Sequence, residues 1–206
     1  MAANNLEFNI ICFGRGTPIL CADGQERLVE DLEAGDLVVT KDNGNQPIRW
    51  IGSTKLTQET LTQFPERRPI RFTKDALGTH EEFLVSPQHR VLLNNELAEL
   101  YYGSNEMLAP AKALVNDKTI RVADDLEEVE YYHILFNDHE LIRASGAWSE
   151  SFYPGKFSMD TMEHATRDEV VLFFPELEDL EAPAMRSVRP SLKPWEVRVL
   201  YPEHIH

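Results

Sequence analysis

The chain has 206 residues, with 35 Asp and Glu against 20 Lys and Arg, and a net charge of −15. This length can bury a sizeable core, either in one domain with an appendage or in two small domains. An acidic chain without clustered basic residues binds nucleic acid and anionic membranes poorly, so neither partner is expected.

Cys12 and Cys21 are the two cysteines of the sequence. Two thiols exclude a disulfide framework and a four-cysteine zinc site, and we expect neither a metal nor a cofactor. The N-terminus lacks the basic and apolar regions of a signal peptide, and no stretch has the length of a membrane span. We therefore expect a cytoplasmic protein, with export through another signal left open.

Short strands separated by turns are predicted for the first part of the chain. An apolar segment ends at Leu20, and Asp23-Gly24 and Asn43-Gly44 are typical hairpin turns. Further strands are predicted at 37–40, 46–52 and 69–72. The polar residues 53–68 carry no strand pattern and predict a loop.

The next segments continue this pattern. Residues 83–93 form two apolar β stretches around a Ser-Pro turn, whereas the Ala and Lys residues of 107–115 predict one or two helical turns. Alternating apolar residues in 131–144, with Asn137-Asp138 between them, predict a hairpin. A turn at 144–146 then precedes a last predicted strand within 147–152.

The composition changes after residue 155, where acids, Met and Pro increase and the β alternation ends. A short helix interrupted by Pro175 is predicted over 168–180. The expected organisation is a short lead (1–11), an all-β domain (12–155) with a closed or folded-over architecture, and a partly helical C-terminal extension (156–206).

Three features carry candidate chemistry: Cys12, the turn 86–89 with Ser86 and His89, and the segment with His133 and His139. Each of them alone is more typical of a structural role than of a catalytic one. Free cysteines are among the most buried residues, and strand histidines are commonly structural. Two histidines without further cysteines are also too few ligands to indicate a zinc site.

The order of the local sequences resembles the Hint family, the fold of hedgehog C-terminal domains and inteins. The matching motifs are Cys-Phe-x-x-Gly-Thr from Cys12, Val-Glu-Asp-Leu-x-x-Gly-Asp-x-Val, Ser-Pro-x-His-Arg from Ser86, and Tyr-x-His-x-Leu-x-x-x-His from 131. The matched stretches spread over nearly all of 12–154, and the chain is most similar to bacterial stand-alone Hint domains.

This resemblance implies a horseshoe-like, pseudo-twofold fold of β-hairpins and a self-processing reaction. Cys12 would attack the carbonyl of Ile11 and convert the peptide bond into a thioester. The resemblance places His89 as the general acid for the leaving nitrogen and Ser86 as the hydroxyl that holds the scissile amide or the oxyanion. His133 is a candidate for activating Cys12, since an imidazole exchanges protons near neutral pH.

Full splicing is not expected, because no Asn or Gln follows Asn137 to cyclise at the end of the domain. The expected substrate is the chain's own N-terminal segment, although only eleven residues precede Cys12, and the expected acceptor is water or a small nucleophile. Two other hypotheses stay open: a catalytically silent Hint-fold binding module, and a metal-dependent hydrolase using His89, His133 and His139.

Overall fold

The computed structural model describes residues 11–152 and 187–201, and these residues form two antiparallel β-sheets with three α-helices. The predicted all-β fold class is confirmed. The strands of the first sheet are β1 (Phe13–Gly14), β6 (Trp50–Leu56), β7 (Ile70–Phe72), β8 (Phe83–Val85), β11 (Ile120–Val122) and β12 (Val129–Leu135). Their spatial order is β11-β7-β8-β1-β12-β6.

The second sheet has the order β10-β9-β14-β13-β2-β3, and β4 pairs with both β13 and β5. Its strands are β2 (Pro18–Leu20), β3 (Glu26–Leu28), β4 (Leu37–Thr40), β5 (Gly44–Pro47), β9 (Arg90–Asn94), β10 (Glu106–Pro110), β13 (Leu141–Ala144) and β14 (Ala147–Glu150). The helices are α1 (Gln58–Gln63), α2 (Glu96–Tyr102) and α3 (Pro194–Leu200).

Three predicted turns join neighbouring strands of the second sheet as hairpins. These turns join β2 to β3, β4 to β5 and β13 to β14. Gly24 and Gly44 have φ values of +79° and +65°, which a residue without a Cβ adopts at little cost. The turn chemistry in the sequence was therefore a reliable guide to these local pairings.

The predicted loop over 53–68 was wrong. Strand β6 continues to Leu56, because all seven of its residues pair with β12. Thr57 then caps α1 by accepting a hydrogen bond from the Thr60 N–H, and a 3-10 turn follows at Pro65–Arg67. In the same way, the helical turns predicted over 107–115 are only partly correct, since β10 occupies Glu106–Pro110 and a 3-10 turn follows it.

The hairpin predicted over 131–144 was also wrong, because its two strands lie in different sheets. Strand β12 pairs with β1 and β6, whereas β13 pairs with β14, β2 and β4. With β12 paired on both sides, β13 finds its partners in the second sheet. The chain makes comparable crossings between β1 and β2 and between β8 and β9, and the residues around these crossings build the site described below.

Most buried apolar side chains form one core that draws on both sheets. A smaller cluster consists of Cys12, Leu56, Leu61, Val129 and Tyr131. The C-terminal residues 187–201 belong to the same structure, since Leu192, Val197 and Leu200 are part of the main core. The helix predicted over 168–180 lies outside the described residues. No helix within the described ranges has the length and apolar character needed to cross a membrane.

Candidate active site

Cys12 directly precedes β1 and lies in the interior, where its side chain is 1% exposed. Strand β1 is held on both sides, since Phe13 pairs with Tyr132 of β12 and with Val85 of β8. The cysteine is therefore fixed by the first sheet. Leu61 of α1 and Leu56 at the end of β6 belong to the same apolar cluster as its thiol, so the segment expected to be a loop builds part of this environment.

The imidazole of His133 contacts both groups that a thiol attack would join. Its Nδ1 lies 3.3 Å from the Cys12 Sγ and 3.1 Å from the carbonyl oxygen of Ile11, and its Nε2 lies 3.7 Å from the same sulfur. A carbonyl oxygen only accepts hydrogen bonds, so in this contact Nδ1 carries the hydrogen. Nε2 is then the ring nitrogen with a free lone pair beside the thiol.

An apolar shell keeps this imidazole neutral. Trp50 stacks on His133 at a ring separation of 6.4 Å, and Phe152 meets it edge-on at 5.3 Å. Gly52 faces His133 in the adjacent strand, and a Cβ there would lie 2.3 Å from the Trp50 ring, so this glycine leaves room for the indole. Burial lowers the pKa of His133 to about 4, against the opposite effect of its hydrogen bond to Ile11.

Ser86 holds the amide of Cys12 from the other side. Its Oγ accepts a hydrogen bond from the Cys12 N–H at 3.2 Å, and its own N–H donates to the Cys12 carbonyl at 3.0 Å. Burial raises the pKa of the Cys12 thiol well above its usual range, while a hydrogen bond with the Ser86 side chain acts in the opposite direction. The resting thiol is therefore protonated near neutral pH, and its reaction needs a base.

His89 lies at the end of the same turn, and its backbone N–H donates a hydrogen bond to the Ser86 carbonyl at 3.0 Å. Its Nε2 lies 2.6 Å from the Ser149 Oγ, and its ring meets Phe13 edge-on at 4.5 Å. Its Nδ1 makes no well-aligned hydrogen bond with the described residues, although a contact with the Cys12 backbone tends to raise the pKa. Burial nevertheless lowers the pKa of His89 to about 4.

The structure places Ser86 and His133 in direct contact with Cys12, and His89 lies next to the Cys12 backbone. His139 lies elsewhere in the network, since its Nε2 is 3.2 Å from a Glu150 carboxylate oxygen and its Nδ1 accepts the Val188 N–H at 3.1 Å. Within residues 11–152 and 187–201, no three His, Cys, Asp or Glu side chains are arranged to hold a metal ion. This arrangement does not support the metal-dependent hydrolase hypothesis.

Four further residues belong to the site although no sequence motif indicates them: Trp50, Phe152, Ser149 and Glu150. The first three contact the two histidines, and Glu150 holds the strand that follows His89. Trp50 lies at a strand start, and the other three lie in a segment that matched the family only as a whole. No local pattern distinguishes such neighbours from ordinary core residues.

His89 and His133 predict that the protein loses stability as the pH falls from 6.5 to 4.5. Their pKa is about 4 in the folded protein and near 6.5 in an unfolded chain. The unfolded state therefore binds protons in this window that the folded state does not. Each histidine should lower the free energy of unfolding by up to about 1.4 kcal/mol per pH unit.

Urea unfolding at several pH values measures this slope, with His133→Leu as the comparison. The slope of the free energy of unfolding against pH should be smaller in the variant by the contribution of one proton, up to about 1.4 kcal/mol per pH unit. This difference does not depend on the absolute stability of the variant. The pKa of Glu140 is raised, with burial as the largest cause, and its effect on the slope has the opposite sign. Glu140 is present in both the parent and the variant, so its contribution cancels when the two slopes are subtracted. Equal slopes in the two proteins would contradict the prediction.

Comparison with known proteins identifies the family of this chain. Residues 11–156 match the sequence profile described as "Hint domain". Among solved structures, the chain is similar to a bacterial intein-like domain from Clostridium thermocellum (14% identity, TM-score 0.45, covering 68% of this chain and 97% of that chain). It is also similar to the gp41-1 intein (15%, TM-score 0.40, 68% and 97%) and to the Ssp DnaB mini-intein variant M86 (11%, TM-score 0.44, 70% and 97%).

A search of curated protein sequences found no match. The profile match covers 146 of the 206 residues. It begins one residue before Cys12 and ends just after the described Phe152. The chain therefore belongs to the Hint domain family.

Proposed function

We propose that this chain processes itself by an N–S acyl shift at the Ile11–Cys12 bond, giving a thioester that water or a small nucleophile resolves without splicing. The observation that carries the proposal is the position of His133, whose imidazole contacts both the attacking sulfur and the carbonyl oxygen of the bond. The 3.1 Å from Nδ1 to the Ile11 oxygen suits an oxyanion donor. The 3.7 Å from Nε2, the proposed base, to the Cys12 sulfur is the longer contact of a hydrogen bond that involves sulfur.

The proposed reaction forms a bond between the Cys12 Sγ and the Ile11 carbonyl carbon, and breaks the bond from that carbon to the Cys12 nitrogen. His133 Nε2 accepts the thiol proton, while the Nδ1–H stabilises the negative charge that develops on the Ile11 oxygen. The same imidazole then gives its proton to the leaving nitrogen. The net change is the transfer of one proton from sulfur to nitrogen.

Ser86 and His89 complete the proposed machinery. Ser86 fixes the orientation of the scissile amide by accepting its N–H, and it is also hydrogen-bonded to the thiol. The family resemblance implies a general-acid role for His89, which makes it a second proposed proton donor for the leaving nitrogen beside His133. Two observations support that role. His89 contacts the Cys12 backbone, and its backbone N–H donates a hydrogen bond to the Ser86 carbonyl. Either histidine could therefore protonate the leaving nitrogen.

Trapping the thioester tests the proposal. A reporter domain is fused upstream of Met1, and the fusion is incubated with hydroxylamine or dithiothreitol and followed by intact-mass spectrometry. We expect release of a fragment with the mass of residues 12–206 and of the reporter as its hydroxamate or thiol adduct at Ile11. Cys12→Ala serves as the blank, and Cys21→Ala, at the other buried cysteine, should cleave like the parent.

An unchanged full-length mass in the parent, with both nucleophiles, would reject the acyl shift. That result would favour the alternative of a catalytically silent Hint-fold binding module. Cleavage that persists in Cys12→Ala would also reject the proposed nucleophile.

A further inference from the structure

Residues 187–192, which we call the clasp, add to the outer edge of the second sheet at β10. The Leu108 N–H donates to the Pro190 carbonyl and the Leu192 N–H donates to the Leu108 carbonyl, both at 2.8 Å. Leu108 and Ser191 are paired in a parallel bridge. The clasp therefore extends the sheet with a backbone pairing distant in sequence.

The clasp is also held by polar side chains from four segments of the domain. Arg189 forms ion pairs with Asp42 at 2.7 Å and with Glu106 at 2.8 Å. The Val188 N–H donates to the Nδ1 of His139, and the Nη1 of Arg90 donates to the Ser191 Oγ. Each contact is an ion pair or a hydrogen bond that requires a defined position of both groups, so together they fix where the clasp lies on the domain.

Two of these anchors converge on one buried carboxylate, that of Glu150. Its Oε1 accepts hydrogen bonds from the backbone N–H and the Nε of Arg90, both at 2.8 Å. Its Oε2 lies 2.7 Å from the Nη2 of Arg90 and 3.2 Å from the Nε2 of His139. Burial alone would raise the pKa of Glu150, but the hydrogen bond from His139 and the charge of Arg90 lower it, so the carboxylate is ionised at neutral pH.

Glu150 and its partner Arg90 are each the direct neighbour in the chain of a residue at or beside the site. Arg90 follows His89, and Glu150 follows Ser149, whose hydroxyl contacts the His89 imidazole. Strands β9 and β14 pair at this point, with Val91 opposite Ser149. A buried ion pair with bidentate geometry therefore fixes the strand that begins directly after His89.

We propose that the clasp completes the active site, with Glu150 as a positioning residue that couples clasp docking to His89 and the 86–89 turn. Docking fixes Arg90 and His139 on the Glu150 carboxylate, which sets the position of the His89 ring beside Cys12. This inference rests on the proposed function. It implies that the acyl shift waits until the downstream chain has been made through the clasp and has docked.

The test removes one clasp hydrogen bond and compares cleavage. Val188→Pro lacks the N–H that binds His139, whereas Val188→Ala keeps it and is the matched control. In the upstream fusion, Val188→Pro should lower the rate of hydroxylamine cleavage by about 10- to 100-fold, because small displacements of a catalytic group reduce rates by such factors. Ser191→Ala should also be slower than the parent, and Ser191→Thr should restore the rate.

A second measurement separates coupling from simple loss of stability and from failure of the proposed function. Full-length Cys12→Ala protein carrying labelled histidine is examined by NMR at a temperature where each variant is folded. The His89 ring signals should shift in Val188→Pro and stay unchanged in Val188→Ala. Unchanged His89 signals in Val188→Pro would overturn the inference, whatever the cleavage rate. A parent that never cleaves would reject the proposed function only, since these spectra do not require the reaction.

Discussion

Replacing His133 with Leu should lower the rate of thioester formation by about 10²–10⁴-fold, the usual contribution of a positioned acid–base group. The buried thiol has a raised pKa and needs a base, and His133 is the imidazole beside its sulfur. Leucine is similar in volume and suits the apolar shell, so the variant should fold. The rate is measured by hydroxylamine cleavage of the upstream fusion.

His133→Gln separates the two roles proposed for this imidazole. Its amide N–H can still donate to the Ile11 carbonyl, but the side chain cannot take up the thiol proton. We expect the glutamine variant to recover only a small part of the lost rate. The same change at His80, an exposed histidine paired with Glu26, is the control and should leave the rate unchanged. A folded His133→Leu protein that cleaves at the parent rate would refute the assignment.

Ser86→Ala should lower the rate by about 10²–10³-fold, comparable to the loss of one oriented hydrogen-bond partner in other acyl transfers. The variant loses both the acceptor for the Cys12 N–H and the hydroxyl that contacts the thiol. Intact-mass time courses of the upstream fusion give the rate. Circular dichroism melting shows that the variant is folded.

Ser86→Thr is the conservative counterpart, because it keeps the hydroxyl and adds one methyl. Ser86 is fully buried, so the methyl must fit a packed site, but the rate should stay well above that of Ser86→Ala. Ser145→Ala, at a fully buried serine that donates to the Glu81 carbonyl, controls for the loss of a buried hydroxyl. A Ser86→Ala rate equal to that of Ser145→Ala would exclude a specific role.

The candidate site could be predicted because its residues lie in short, ordered motifs. The motifs indicate Cys12, Ser86, His89 and His133, and in the structure Cys12, Ser86 and His133 lie around one peptide bond. The protonation pattern was not predictable in this way. The low pKa of His133 and the high pKa of Cys12 both result from burial, which depends on side chains far apart in the chain.

The sequence by itself determined the local features: the turns at Gly24 and Gly44, most strands, the all-β class and the family. The turns, strands and fold class depend on backbone preferences and alternation that act over a few residues, whereas the family is indicated by short motifs in a fixed order. The tertiary structure decided that β12 and β13 separate into two sheets, that 53–56 extends β6, and that residues 187–192 dock on β10. Strand partners and buried polar contacts are set by groups distant in sequence, so local patterns do not contain them.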